Sequence, residues 1–384
     1  MTTDRRTEDA SAFYGRRGLR LVRGAGCTVQ DAEGRSYLDA TSMYGTASLG
    51  HASPVIADAL TRQAQALASC FASFDCPPRE ELIARLHRIA PGFSDVFLCN
   101  SGTEAIEAAL KVARFATGRP GVLVANGGFH GRTLGSLSGT HVEAGPGPFA
   151  PLLSGFRAVP FGNLDAVAAA LDPSIGLVLL EPVQGEGGVR LLPEGFLAHV
   201  VRLAHANGSL VAFDEVQTGV GRTGHWFAHQ AAACVPDLLT TAKGLGGGVP
   251  IGALLIGPRA GDLDGFRHGS TFGGNPLAAA AACATLEAIE DGGLLEHVRS
   301  LGAHLERRLN ELGSPLVRHV RVAGLLAGIE LRVRAAPLVR ALQERGVLVL
   351  TAGPRVLRLL PPLTITRAEL DRVVDTLGTI LTER

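Results

Sequence analysis

The chain has 384 residues, 46% hydrophobic and 19% charged, which suits one large α/β domain with a smaller one beside it. Its 36 basic and 36 acidic side chains cancel, which argues against a nucleic-acid binder. The polar opening MTTDRRTEDA lacks a signal-peptide core and no apolar run could span a bilayer, so a soluble cytoplasmic protein is expected.

In chain order, short apolar runs predict strands at Asp95–Cys99, Gly121–Ala125, Gly176–Leu180, Ser209–Phe213, Asp237–Thr241 and Ile251–Ile256. Between and after them, helical spacing predicts helices at Thr103–Ala116, Leu164–Leu171, Glu194–Ala206 and Pro276–Ile289. This alternation points to an α/β fold, a mainly parallel central sheet with helices on both faces. The texture changes near residue 285. A long amphipathic helix, Leu294–Leu312, precedes short strands near Val317–Val322, Leu325–Leu331, Val347–Leu350 and Val356–Leu359, and a last helix covers Arg367–Leu381. The expected organisation is an N-terminal segment (1–45) joining the small domain and the substrate entrance, a large domain (46–285) and a small α+β domain (286–384).

Cys27, Cys70, Cys76, Cys99, Cys234 and Cys283 are scattered and form no C-x-x-C pair, so they read as free thiols. His225 and His229 have the spacing of helical metal ligands, but no glutamate follows the first and no third ligand is evident; no metal is expected.

Of the 36 basic residues only two are lysine, Lys111 and Lys243. Arginine stays protonated and cannot act as an amine nucleophile, whereas a desolvated lysine can. Lys111 lies four residues after Glu107 and reads as a surface pair. Lys243 follows an apolar strand and precedes Gly-Leu-Gly-Gly-Gly, a setting with no such explanation.

Open parallel sheets bind ligands beyond the carboxyl ends of their strands. The groups at those ends are Asn100-Ser101-Gly102-Thr103, Glu181, Asp214-Glu215 and Lys243. Ser101 with Glu104 makes a capping box, whose free N–H groups suit an anion or simply start a helix. Asp214 ends a buried strand and needs a positive partner, either an arginine or a protonated pyridine nitrogen. Phe129 could stack on a flat ring or belong to the core. Arg132 could pair with a substrate carboxylate or lie in solvent. Neither Gly-Lys-Ser/Thr nor a G-x-G-x-x-G after a strand occurs, which disfavours nucleotide P-loops and NAD-dependent dehydrogenases.

Six segments in order, Asn100-Ser-Gly-Thr-Glu-Ala, Phe129-His-Gly-Arg-Thr, Glu181-Pro-Val-Gln-Gly-Glu-Gly-Gly, Asp214-Glu-Val-Gln-Thr-Gly, Ala242-Lys-Gly-Leu-Gly-Gly-Gly and Ser270-Thr-Phe-Gly-Gly-Asn-Pro, resemble the class III aminotransferases. These are fold type I enzymes that use pyridoxal 5'-phosphate (PLP). The resemblance runs from about Tyr14 to the C-terminus and is strongest to the acetylornithine aminotransferase group. Within it, Tyr14–Gly26, Val322–Pro337 and Leu350–Pro362 look most like the branch acting on lysine or ornithine held on a LysW-type amino-group carrier protein. Ile106 departs from the pattern, which has asparagine there.

The resemblance implies that Lys243 joins PLP through a Schiff base and moves the proton, and that Asp214 holds the pyridine nitrogen protonated. It implies cofactor contacts from Gly102, Thr103, Phe129, Glu215, Val216 and Gln217, and from Thr271 of a neighbouring subunit in a homodimer with shared sites. Tyr14, Arg132, Glu186, Ser270 and Arg358 would meet substrate. Arg132 would take an α-carboxylate, Arg358 the distal carboxylate of glutamate, and Glu186 would neutralise Arg358 for substrates lacking it. The implied reaction moves a terminal amino group from an Nα-blocked lysine or ornithine to 2-oxoglutarate. N-acetylornithine, 4-aminobutyrate and free ornithine are the rival donors, a semialdehyde aminomutase and a dialkylglycine decarboxylase the rival reactions, and a non-catalytic PLP-fold protein the rival of another class. Arg16, Arg17, Arg20 and Arg23 could steer an acidic carrier protein or form an ordinary solvated face.

Overall fold

The structure is a computed structural model, and it describes residues 15–141, 147–264 and 266–383. A seven-stranded sheet forms its centre. In chain order the strands are β1 (Asp95–Cys99), β2 (Gly121–Ala125), β3 (Phe156–Val159), β4 (Ile175–Leu180), β5 (Leu210–Asp214), β6 (Leu238–Thr241) and β7 (Gly252–Ile256). They lie side by side as β1-β7-β6-β5-β4-β2-β3. β7 runs antiparallel to both of its neighbours, and the other pairings are parallel. Six of these strands match the sequence expectation to within a residue. The seventh, β3, escaped it because an edge strand reading Phe-Arg-Ala-Val is only partly buried and shows no apolar run.

Helix α1 (Gly102–Thr117) follows β1 directly. Ser101 caps it by accepting from Glu104 N–H at 3.3 Å, and Gly118 closes it in the left-handed region at φ 66°. The predicted capping box is modified. The Glu104 carboxylate accepts from the backbone and side-chain N–H of Asn100, both at 2.9 Å, one residue further back than expected. Ile106 lies fully buried in an apolar layer with Val122, Leu177 and Leu254, so the chain has packing where the family pattern has an amide. Lys111 does not pair with Glu107. Its Nζ meets His268 Nδ1 at 3.2 Å, while the Glu107 carboxylate is taken by Thr133 and the Ser136 N–H.

Two helices the periodicity left unassigned, Pro54–Ala66 and Pro77–Ile89, each open on proline and pack on the alanine-rich helix Pro276–Asp291. The predicted strand Val347–Leu350 is divided. Val347–Leu348 pairs in parallel with Ser36–Asp39, and Leu350–Thr351 turns to pair with Val356–Leu359. Strands Leu21–Ala25, Thr28–Asp31 and Ser36–Asp39 thereby form one sheet with a strand from near the C-terminus. No helix among the described residues is long and apolar enough to cross a membrane.

Arg222 ties these parts together. It is buried, and its Nη1 donates to the carbonyls of Leu325 (3.1 Å) and Pro361 (2.5 Å) while Nη2 reaches Ser42 Oγ at 3.4 Å. Burial without a carboxylate pulls its pKa down to about 10. Replacing it by methionine leaves two buried carbonyls without donors, each worth about 1 kcal/mol or more. Arg222→Met is expected to lower the unfolding free energy by about 2 kcal/mol, read from the denaturant midpoint; an unchanged midpoint would contradict this role.

Candidate active site

The carboxyl ends of β1, β2, β4, β5 and β6 open on one cavity of about 470 Å³. Its walls include Gly102, Thr103, Phe129, Arg132, Glu186, Asp214, Val216, Gln217 and Lys243, brought together from five of the six distant segments singled out in the sequence. Crossovers through helices force this convergence, because each parallel strand delivers its last residue to the same edge.

Asp214 sits at the end of β5, 5% exposed. Its Oδ2 lies 2.8 Å from His130 Nδ1, and its Oδ1 accepts from Val216 N–H (3.1 Å) and Thr240 Oγ1 (3.3 Å). Burial works against a charged His130, but the hydrogen bond and charge of Asp214 outweigh it and raise the imidazole pKa. Beside them Glu181 is buried and pushed up to about 7, chiefly by burial. Its two oxygens accept from the backbone N–H groups of Phe129 (2.9 Å) and Gly185 (3.2 Å). It thus fastens the Phe129 turn to the hairpin that carries Glu186.

Lys243 follows β6 in a strained turn, with φ at 44°. It lines the cavity. Burial first, and then the charge of Arg358, hold its amine below the usual lysine range, which favours the neutral nucleophile. Ser48 Oγ donates to the Gly244 carbonyl at 2.8 Å and steadies the turn.

Arg358 is wholly buried. Its Nη1 pairs with Glu186 at 2.6 Å and donates to Gln217 Oε1 at 3.2 Å, while Nε and Nη2 have no partner among the described residues. Glu186 is 27% exposed, so one member of the pair is locked in and the other can move toward solvent. Arg132 lies exposed at the mouth with its guanidinium 5.7 Å from the Phe129 ring.

The first turn of α1 supplies backbone N–H groups at Gly102 and Thr103 with no partner inside the helix. The Thr103 hydroxyl meets Thr133 Oγ1 (2.8 Å) and Ser136 Oγ (2.7 Å). Gly131 is needed beside it, since its φ is 137° and a Cβ there would fall 2.4 Å from Thr103 Oγ1. Val216 packs on Gly102, where a Cβ would meet it at 2.8 Å.

Not every sequence expectation lands in the cavity. Glu215 is fully buried but turned away, and its carboxylate takes His229 Nδ1 (2.8 Å), the backbone N–H groups of Ala228 and His229, and the Thr218 hydroxyl. Its side chain anchors this turn and does not line the cavity. Ser270 reaches the cavity only through Asn100, whose Nδ2 donates to its Oγ at 3.0 Å. Thr271 is exposed and outside the lining. Tyr14 lies outside the described residues. Conversely, His130, Thr46 and Tyr44 had no role assigned from sequence. His130 stands inside a quoted motif, and Glu181 and Asn100 were visible as strand ends. Tyr44 had no such signal. It sits in a left-handed turn, Ser42, Met43 and Tyr44 having φ of 36°, 50° and 62°, and its ring lies 5.7 Å from the Arg358 guanidinium.

The chain matches the class-III aminotransferase family over residues 14–381. It is 45% identical over 355 residues to an acetylornithine aminotransferase of Streptomyces coelicolor, an alignment covering 92% of this chain and 88% of that one. A crystal structure of an acetylornithine aminotransferase from Elizabethkingia anophelis superposes with a TM-score of 0.87 at 34% identity, covering 97% of this chain and 96% of the other. An ornithine aminotransferase from Toxoplasma gondii, whose structure has PLP at the active site, superposes with a TM-score of 0.93 at 31% identity, covering 98% and 92%. The chain belongs to the class-III aminotransferases, enzymes of fold type I that depend on PLP. The residues present fit that cofactor: an amine of lowered pKa on the cavity wall, a buried carboxylate for a ring nitrogen and a helix N-terminus for a phosphate. Lys243→Ala is expected to abolish turnover and the visible absorbance that PLP gains when bound; measurable turnover in that variant would refute its role.

Proposed function

We propose that the enzyme moves the terminal amino group of N-acetylornithine to 2-oxoglutarate, giving the N-acetylated semialdehyde and glutamate, as a step of arginine biosynthesis. The observation that carries this reading is Arg358, fully buried, with two unpaired nitrogens and a detachable partner in Glu186. The names of the relatives supply the donor.

When bound, PLP supplies the aldehyde that accepts the amino group and the ring that spreads the electrons left by proton removal. Lys243 holds and delivers the proton at its Nζ. Asp214, oriented by His130 and the Val216 N–H, would hold the ring nitrogen. Phe129 and Val216 line the cavity where they would flank the flat cofactor and keep water from it.

The two arginines divide the substrates. Arg358 is held by Glu186 and Gln217, which line the cavity together with Lys243, and this places it on the side of the reacting carbon. The carboxylate it meets is therefore the one on that carbon, the α-carboxylate of glutamate, and the distal carboxylate falls to Arg132 at the mouth. This reverses the assignment drawn for glutamate from the family likeness. For N-acetylornithine the reacting carbon carries no carboxylate. Glu186 then covers Arg358, and Arg132 takes the α-carboxylate at the far end. The acetyl block keeps the product aldehyde from cyclising onto its own amine.

A carrier-bound lysine or ornithine is the second reading. Arg16, Arg20 and Arg23 are exposed along one short segment and would steer an acidic carrier. Arg17 is held by Gln343 Oε1 (3.1 Å) and the Val349 carbonyl (3.0 Å). A homodimer is part of the proposal. Phe71, Phe74 and Phe272 are 59%, 66% and 63% exposed near Thr271, a face that a second copy would cover.

The test is a glutamate-coupled assay on the PLP-loaded enzyme with N-acetylornithine, carrier-bound lysine, free ornithine and 4-aminobutyrate. N-acetylornithine is expected to give the highest kcat/KM by at least tenfold; a carrier-bound donor ahead by that margin would replace this reading with the second. Glu186→Gln is expected to lower kcat/KM for N-acetylornithine at least tenfold, about 1.4 kcal/mol, while the half-reaction with glutamate changes less. Equal losses in both halves would count against the exchange at Arg358. Sedimentation equilibrium is expected to give twice the 39.9 kDa chain mass, and a monomer would remove the shared-site proposal.

A further inference from the structure

Beside the hairpin Val183–Leu191 lies a second cleft of about 340 Å³, lined by Phe161, Gly162, Arg190, Leu191, Pro193 and Arg321. None of these residues lines the catalytic cavity. Three guanidiniums gather here around one carboxylate. Arg318 (3.3 Å) and Arg321 both pair with Glu330. Arg190 is in no ion pair among the described residues. Its donors reach only Gln184 Oε1 at 3.4 Å and the Asn126 carbonyl at 3.5 Å, both long for hydrogen bonds. Its guanidinium lies 4.6 Å from the centre of the Phe161 ring, a contact that fixes its plane without supplying negative charge.

Arg190 is therefore half-buried, faces a second cation and lacks a counter-charge. Burial pulls its pKa down, the charge of Arg321 pulls it further, and Glu330 offsets only part. An anion between the two arginines would relieve all of this, since planar guanidiniums grip carboxylate and phosphate oxygens in pairs. Phe161, Leu191 and Pro193 make the remaining wall apolar. We propose that this cleft is a second anion site, separate from the catalytic cavity, which takes a small carboxylate or phosphate compound whose head bridges Arg190 and Arg321.

The site grips the turn that presents Glu186. Arg190 stands opposite Gln184 across the hairpin, and Arg321 Nη1 donates to the Gly188 carbonyl at 3.1 Å. An occupant held there rests on both sides of Glu186 without touching it.

The experiment is calorimetric titration of the PLP-loaded enzyme with succinate and, separately, inorganic phosphate. An Arg132→Gln background removes the carboxylate grip at the catalytic mouth. Binding is expected to persist in that background, and Arg190→Gln added to it is expected to weaken binding at least tenfold. Leu191→Glu sets a carboxylate on the exposed rim and leaves both arginines in place, so it is expected to weaken binding similarly in a protein of unchanged melting temperature. Tighter binding of succinate identifies the ligand as a carboxylate, and tighter binding of phosphate as a phosphate compound. The proposal is overturned if neither probe binds the Arg132→Gln enzyme, or if Arg190→Gln and Leu191→Glu both leave the dissociation constant within twofold.

Discussion

A carboxylate buried at the end of a parallel strand is the constraint on which the catalytic cavity depends. Asp214 has almost no contact with water, and a charge in that position is tolerated only when its surroundings answer it. His130, the Val216 N–H and Thr240 do so from three different segments. Satisfying Asp214 fixes the Phe129 turn through His130, and Glu181 then fastens that turn to the Glu186 hairpin. The positions of Phe129, Asp214 and Glu186 are thus tied by one hydrogen-bonded assembly, not independent features.

The second constraint is the buried arginine. Arg358 comes from the C-terminal strand Val356–Leu359 and lies behind the cavity wall, bonded to two residues that line it, Glu186 and Gln217. Its charge lowers the affinity of Lys243 for a proton and, in the proposed reaction, would attract the carboxylate of one substrate. Glu186 sets how much of that charge an incoming molecule meets. In the proposed reaction one site would then serve two substrates of different charge through the movement of one side chain, with no second pocket required. Tyr44, held over Arg358 by a left-handed turn that costs about 1–2 kcal/mol per non-glycine residue, limits where the guanidinium can go.

Much of this was legible before the fold was known, for identifiable reasons. Buried parallel strands announce themselves as unbroken apolar runs, and the residue after each run is where ligands bind, so Asp214, Glu181, Asn100 and Lys243 stood out by position alone. What could not be read was anything set by three-dimensional proximity without a local pattern. The reversal of β7 depends on the connection between strands and leaves no trace in its composition. Glu215 resembles Asp214 in sequence context, yet successive residues of an extended segment point to opposite sides, and it serves His229 instead. The bond from Arg222 to Pro361 and the crowding of Arg190 by Arg321 join residues more than a hundred positions apart. Arg17 looked like one of four equivalent surface charges until its partners, Gln343 and Val349, appeared from the far end of the chain.

The scarcity of lysine has a chemical consequence beyond the catalytic step. An aldehyde such as PLP condenses with any accessible unprotonated amine, and most proteins display many side-chain amines to it. Here one lysine side chain is engaged with His268 on the surface of α1, and the other, Lys243, lines the cavity with its proton loosened. Guanidinium groups fill the remaining cationic positions and do not compete, because they remain charged. The surface therefore offers the free vitamin almost no wrong address, and loading of the apoenzyme becomes a search with a single productive side chain at its end.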